Sequence, residues 1–234
     1  MDSDLSTAGP PQGAKAPEGL TPAAPCLPAQ AGTGGRDATS RGGLTSAVRE
    51  ATSVGAQFID NYRFLARYNR WFNQRLYGAC ECLSDEERKR ERGAFFGSIH
   101  RTLNHLIVGD QVWLRRLRRC AVENGLASVA LNDEVLDLPE AYSLDMVLYE
   151  DWAALRAKRE QLDAALEAWL AGLPQGYPGS TMRYSNSKGV QREHPAWQAL
   201  THFFDHQTHH RGQVTTMLAQ AGVDVGVTDL IALV

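Results

Sequence analysis

Apolar and polar positions divide the chain near residue 52. From Met1 to Thr52 it consists of Pro, Gly, Ala, Ser and Thr with scattered charges and almost no large apolar residue. Segments such as Pro22-Ala23-Ala24-Pro25 and Gly32-Thr33-Gly34-Gly35 cannot bury enough surface to offset the entropy of ordering them, so residues 1–52 are expected to form a disordered tail. Its arginines are sparse and acids are present, which argues against an organelle address.

Beyond the tail the apolar positions take up the period of amphipathic helices. Phe58, Tyr62, Leu65, Phe72 and Leu76 set one face of a first helix, and Asn69 falls about 40° from Leu65 on that face. The first helix thus carries an amide into the core, where it bonds neighbouring backbone or supports a site from behind. Ser84-Asp85-Glu86-Glu87 has the serine and glutamate of a capping box and opens a short polar helix. A longer helix is expected from about Ala94 to Arg118, with Phe95, Ile99, Leu106 and Leu117 on its inner face, His105 on the flank of that face and Asp110 inward. His100 points away, toward solvent. Arg115, Arg116, Arg118 and Arg119 complement the negative pole of this helix, and they spread around it too widely to line one side.

Asn124 to Pro139 reads as a loop, after which Ser143 is expected to cap a third long helix through Trp152, Leu162 and Trp169 to Gly172. Alternation in Thr181–Tyr184 and Val190–Glu193, on either side of Asn186 to Gly189, predicts a small β-hairpin. Pro195 then starts the last helix, and the apolar tail from Asp229 to Val234 is expected to pack back onto the domain. The pattern as a whole predicts an all-α domain over residues 53–234, a four-helix bundle with a small β-hairpin before its last helix.

Composition adds exclusions. A chain of 234 residues with 43% hydrophobic content buries a full core, and a net charge of −3 gives no electrostatic reason to expect nucleic acid as a partner. No apolar run reaches the roughly 18 residues that would span a bilayer, and the start Met1-Asp2-Ser3-Asp4 has neither the cationic flank nor the apolar run of a signal peptide. No membrane partner and a cytoplasmic location are therefore expected. Cys26, Cys80, Cys82 and Cys120 make neither a zinc-knuckle spacing nor a disulfide framework, and all four read as ordinary thiols.

The candidate chemistry sits in the last helix, which holds four of the seven histidines. His206 and His210 lie about 40° apart, one turn from each other on the stripe formed by Leu200, Phe203, Val214 and Met217. Two imidazoles in a buried stripe need partners for their ring nitrogens, and a divalent metal is one such partner. Gln207 stands where the helical zinc peptidases place a glutamate, so their built-in general base is missing and that reaction is disfavoured. His105 is the natural third ligand, because His100 points out and His194 sits in the hairpin connection. Three imidazoles would leave a tetrahedral metal one open position. The alternative is that the three are core histidines bonded to Asn69, Asp110 and backbone.

Three runs also carry a family resemblance: Tyr68-Asn69-Arg70-Trp71-Phe72-Asn73, the segment from Phe95 to Leu106, and His206-Gln207-Thr208-His209-His210-Arg211-Gly212-Gln213. Together, and in this order from about Gln57 to the C-terminus, they resemble the DinB-like (damage-inducible) family. The resemblance implies an up-down-down-up four-helix bundle, often a homodimer, holding a divalent metal (zinc, nickel or iron) on His105, His206 and His210. Relatives with assigned reactions are transferases and isomerases that use a low-molecular-weight thiol such as bacillithiol, mycothiol or glutathione. Similar iron-dependent sulfoxide synthases place a glutamate where Gly212 stands, which sets that chemistry aside. Two functions stay open. One is a thiol-dependent S-transferase or hydrolase in which Asn69, Asn73 and Gln213 orient bound water or substrate; the other is a non-catalytic metal-binding stress-response dimer.

Overall fold

The computed structural model describes residues 46–126, 130–186 and 188–234. The expected disordered tail lies outside these residues as far as position 45, and residues 46–52 belong to the first helix. Four long helices, α1 (Ser46–Cys80), α3 (Ile99–Glu123), α4 (Trp152–Gly172) and α5 (Ala196–Gln220), are joined by the short α2 (Asp85–Lys89) and an antiparallel hairpin of β1 (Thr181–Ser185) and β2 (Gln191–Pro195).

Side-chain pairs fix the helix directions. Arg63 of α1 reaches Leu170 of α4 while Arg156 of α4 reaches Glu81 just past the end of α1, so these two helices run antiparallel. Asp110 meets Arg159, and Asn104 meets Tyr149 just ahead of α4, so α3 and α4 start at the same end and run parallel. Tyr62 meets Trp197 and Asn69 meets Arg211, which makes α5 parallel to α1. The order is up-down-down-up. A parallel step from α3 to α4 requires the chain to return along the whole bundle, about 37 Å for a 25-residue helix, and the long connection from Asn124 to Asp151 provides that reach.

The core lies where the four inner stripes meet, around Leu76, Leu103, Leu106, Leu162, Phe203 and Leu218, all buried. Met182 carries the hairpin onto it, and Tyr177 donates to the Leu117 carbonyl at 2.8 Å, fixing the hairpin beside the end of α3. The turn at Asn186 to Val190 closes through Asn186, with Gly189 at φ 76° supplying the left-handed residue.

Several boundaries differ from those the sequence pattern predicts, each for a local reason. The second long helix begins at Ile99 and not at Ala94, because Gly97 takes φ 79° and Ser98 caps the helix by accepting from the Arg101 N–H at 3.2 Å. Phe95 is thereby released from the inner face and is 84% exposed. Phe58, expected in the core, is 40% exposed, its ring lying against Tyr62 and Trp197 at the end of the bundle where α5 begins. The third long helix begins at Trp152, capped by Asp151, and not at Ser143. Residues 143–151 instead cross α3, clamped by Asn104, whose side chain accepts from the Tyr149 N–H at 2.9 Å and donates to the Tyr149 carbonyl at 3.1 Å. The same crossing, together with α2, covers His100, which is buried and not on the surface; burial pushes its imidazole down. Pro195 occupies the cap position ahead of α5 and not its first turn. At the C-terminus Leu230 to Leu233 form a 3-10 turn that is packed on one side only, leaving Ile231 and Val234 exposed.

Candidate metal centre

His105 faces inward from the second turn of α3, and His206 and His210 face it from α5 one turn apart. The antiparallel packing of these helices brings the three rings together: the His206 and His210 centroids are 4.5 Å apart, as are those of His105 and His210. His105 Nε2 and His206 Nε2 lie 3.1 Å apart, and one ring nitrogen from each of the three falls within 4.8 Å of the others. His202 and His209 sit outside this group, exposed at the two ends of the same face of α5.

Neighbours set the tautomers. His105 Nδ1 lies 2.6 Å from the Leu144 carbonyl, so it carries the proton and donates, leaving the lone pair on Nε2. His210 Nδ1 lies 2.8 Å from Gln213 Oε1 and donates likewise, with its Nε2 left as an acceptor. Phe96 stacks on His105 at 3.9 Å between centroids and meets His210 edge-on at 5.5 Å, which locks both rings. Gly109 makes room for the third: a Cβ there would stand 2.8 Å from His206 Cε1.

Electrostatics point the same way. Burial first, then the neighbouring His210 and His105, push His206 down to about 3. Burial pushes His210 down to about 4 against the opposing pull of Gln213, and burial lowers His105 as well. Three neutral imidazoles, with the free Nε2 of His105 meeting Nε2 of His206, make a group that could hold a divalent cation. Nitrogens at about 2.0–2.1 Å from a tetrahedral metal stand roughly 3.4 Å apart; the His105–His206 pair stands at 3.1 Å and the whole group within 4.8 Å.

The other face of α5 is anchored just as firmly. Gln207 and Arg211, which follow the two α5 histidines, point into a buried ionic network. Arg211 donates to Asn69 Oδ1 at 2.5 Å, and Asn69 and Asn73 donate to Asp163 at 3.0 Å each. Arg159 lies 2.5 Å from Asp110 and 2.9 Å from Asp163, and the Gln207 amide donates to Asp110. Two carboxylates and two guanidiniums, each at most 2% exposed, balance in charge and tie α5 to α1, α3 and α4. Asn69, Asn73 and Asp110 are therefore bonded within this network and not to the three histidines, while Gln213 alone of the expected supporting residues touches one of them. Sequence reasoning missed Gly109, Phe96, Leu144, Arg159 and Asp163. Only the last two left a trace, as an i, i+4 pair on α4 that reads like any surface ion pair.

Two clefts reach the histidines. One, of about 890 Å³, is lined by Phe96, Arg101, His105, His209, His210 and Gln213 among others. The second, of about 600 Å³, is lined by His105, Trp113, Arg116, Tyr184, His202 and His206 among others. His105 and Leu144 form part of both walls. Among the described residues no helix is long and apolar enough to cross a membrane.

The family model described as "DinB family" matches residues 58–233. Protein DinB of Bacillus subtilis (strain 168) is 26% identical over 168 residues, which cover 70% of this chain and 88% of that protein. No solved structure matches the chain. With the hairpin, the three facing histidines and all of the bundle except the first turns of α1 inside the matched residues, the chain belongs to the DinB family.

Proposed function

We propose that this chain is a metalloprotein of thiol-transfer or hydrolytic type that binds a divalent metal (zinc, nickel or iron) through His105, His206 and His210. The observation that carries the reading is the convergence of three imidazole nitrogens on one point that two clefts reach. A closed structural site would bring a fourth protein ligand, and among the described residues the group has three members. A divalent metal held there supplies a Lewis acid that lowers the pKa of a thiol or water beside it.

The chain's own residues do the rest. Leu144 and Gln213 hold the protons of His105 and His210 on Nδ1, so that Nε2 faces the centre. Phe96 shields the two rings from water on the side of the larger cleft. A transfer reaction needs two reactants to meet, and two clefts that share His105 in their walls offer each its own approach. A purely structural, non-catalytic role would have been favoured by a sealed site.

The test is metal analysis of the purified protein, followed by cobalt substitution. One divalent metal per chain is expected, lost in His105→Ala, and an added small thiol should give the cobalt protein a sulfur-to-metal charge-transfer band. A cobalt spectrum indifferent to millimolar thiol would remove the thiol chemistry.

A further inference from the structure

The smaller cleft contains a cation whose setting the metal site does not explain. The arginines at the end of α3 are otherwise occupied: Arg115 bonds the carbonyls of Leu136 and Leu138, Arg118 pairs with Asp133 and Arg119 with Glu123. Arg116 has no carboxylate partner among the described residues. Its guanidinium carbon lies 4.8 Å from the ring centre of Trp113 and 4.6 Å from that of Tyr184, and one nitrogen donates to the Ser185 carbonyl at 3.3 Å. A guanidinium carries five N–H donors, and the cation–π contacts draw on its charge, so among the described residues the one bond to Ser185 leaves donors for a further partner. Two aromatic rings and a hairpin carbonyl thus hold this cation in the cleft wall with donor capacity to spare.

The wall continues to the histidines. Trp113 lies 4.6 Å from His202 between ring centroids, and His202 lies 6.0 Å from His206. The cleft therefore has a cationic end, an aromatic floor and a far end at His206.

We infer that this cleft binds an organic monoanion, its carboxylate paired with Arg116 and its apolar body lying along Trp113 and His202 toward His206. A single guanidinium matches one negative charge and presents the parallel donors that a carboxylate accepts, whereas a phosphate dianion would leave charge uncompensated in an aromatic pocket. The position of the ligand's far end rests on the metal reading above. The anion site itself depends only on Arg116 and its cradle.

The probes are benzoate and its neutral counterpart benzamide, titrated by calorimetry against metal-loaded and metal-free protein. Benzoate should bind saturably to both forms and at least about tenfold more tightly than benzamide, the scale of a charge-assisted bidentate pair. Arg116→Gln and Arg116→Ala should weaken benzoate at least about tenfold with metal content and melting temperature retained, whereas Arg119→Ala, altered at an exposed pair, should leave it unchanged. Inorganic phosphate should compete poorly. Benzoate that keeps its affinity in both Arg116 variants and loses it in metal-free protein is binding the metal, and that result overturns the assignment, as does no saturable binding at all. Failure of the protein to take up metal would remove the proposed function while leaving the Arg116 dependence in metal-free protein as the test of the cleft.

Discussion

Gly109 of α3 and His206 of α5 are packed so closely that a single added methyl would stand 2.8 Å from the imidazole Cε1. Helix interiors disfavour glycine by about 1 kcal/mol relative to alanine, so its use here trades helix stability for the position of one ring. The contacted atom is the end of a side chain that can turn aside, so the strain falls on the placement of the His206 ring before it falls on the fold.

Gly109→Ala should therefore separate two properties that usually move together. The metal-free variant should melt at the wild-type temperature or slightly above it, while its metal affinity falls by about tenfold or more, as for other disturbances of a ligand's orientation. Thermal melts beside a competitive chelator titration measure both. A variant that binds metal as well as wild type would show that His206 has room to spare.

Gln213 acts on His210 through one hydrogen bond of 2.8 Å. Gln213→Leu leaves the His210 proton free to occupy either nitrogen, so metal affinity should fall about 10–100-fold with the fold intact. Gln213→Glu keeps an acceptor and should retain most of the affinity. Equal loss in both variants would mean that Gln213 matters for a reason other than the tautomer.

The buried network makes a different kind of prediction. Arg159→Met removes the cation that bridges Asp110 and Asp163 and leaves both carboxylates in the core, where burial already pushes them up. Breaking a buried ion group in this way costs about 3–5 kcal/mol, and the melting temperature should fall accordingly. Because Gln207 and Arg211 hang from the same network, metal affinity should weaken as well. Adding Asp110→Asn to Arg159→Met should recover part of the lost stability, and no recovery would mean that volume and not charge set the cost.

Much of this was legible in the residues, because helical periodicity exposes whatever polar group it carries inward. His206 and His210 stood out against Phe203 and Val214, and His105 and Asp110 against Leu106, since an imidazole or carboxylate on an apolar stripe breaks the pattern. Periodicity says nothing of what covers the outer face of a helix. His100 reads as surface until the segment at Tyr149 is known to cross α3, and that crossing depends on Asn104, an amide with no distinguishing context. The helix starts were misplaced for a related reason. Ser143 and Asp151 are both acceptable caps, and tertiary clamping of residues 143–151 chose the second. Gly109 was illegible because its significance is the absence of an atom.

The last prediction concerns pH. His206 and His210 have folded-state values of about 3 and about 4, below the value of about 6.5 for an unfolded histidine. Above pH ~6.5 neither state is protonated and the full stability is present. As pH falls through that value the unfolded chain takes up protons that the folded site refuses, so the metal-free protein loses stability progressively until the folded-state values are reached. Bound metal requires neutral imidazoles, and in the folded protein protons compete for them only near the low end of this window. Metal should accordingly stay bound at pH ~5.5, where free imidazole is already mostly protonated, and leave together with the fold at lower pH. Circular dichroism and metal release followed in one acid titration check this. Release centred near pH 6.5 from a protein that stays folded would show the imidazoles to be solvated, and the buried, preorganised site would have to be given up.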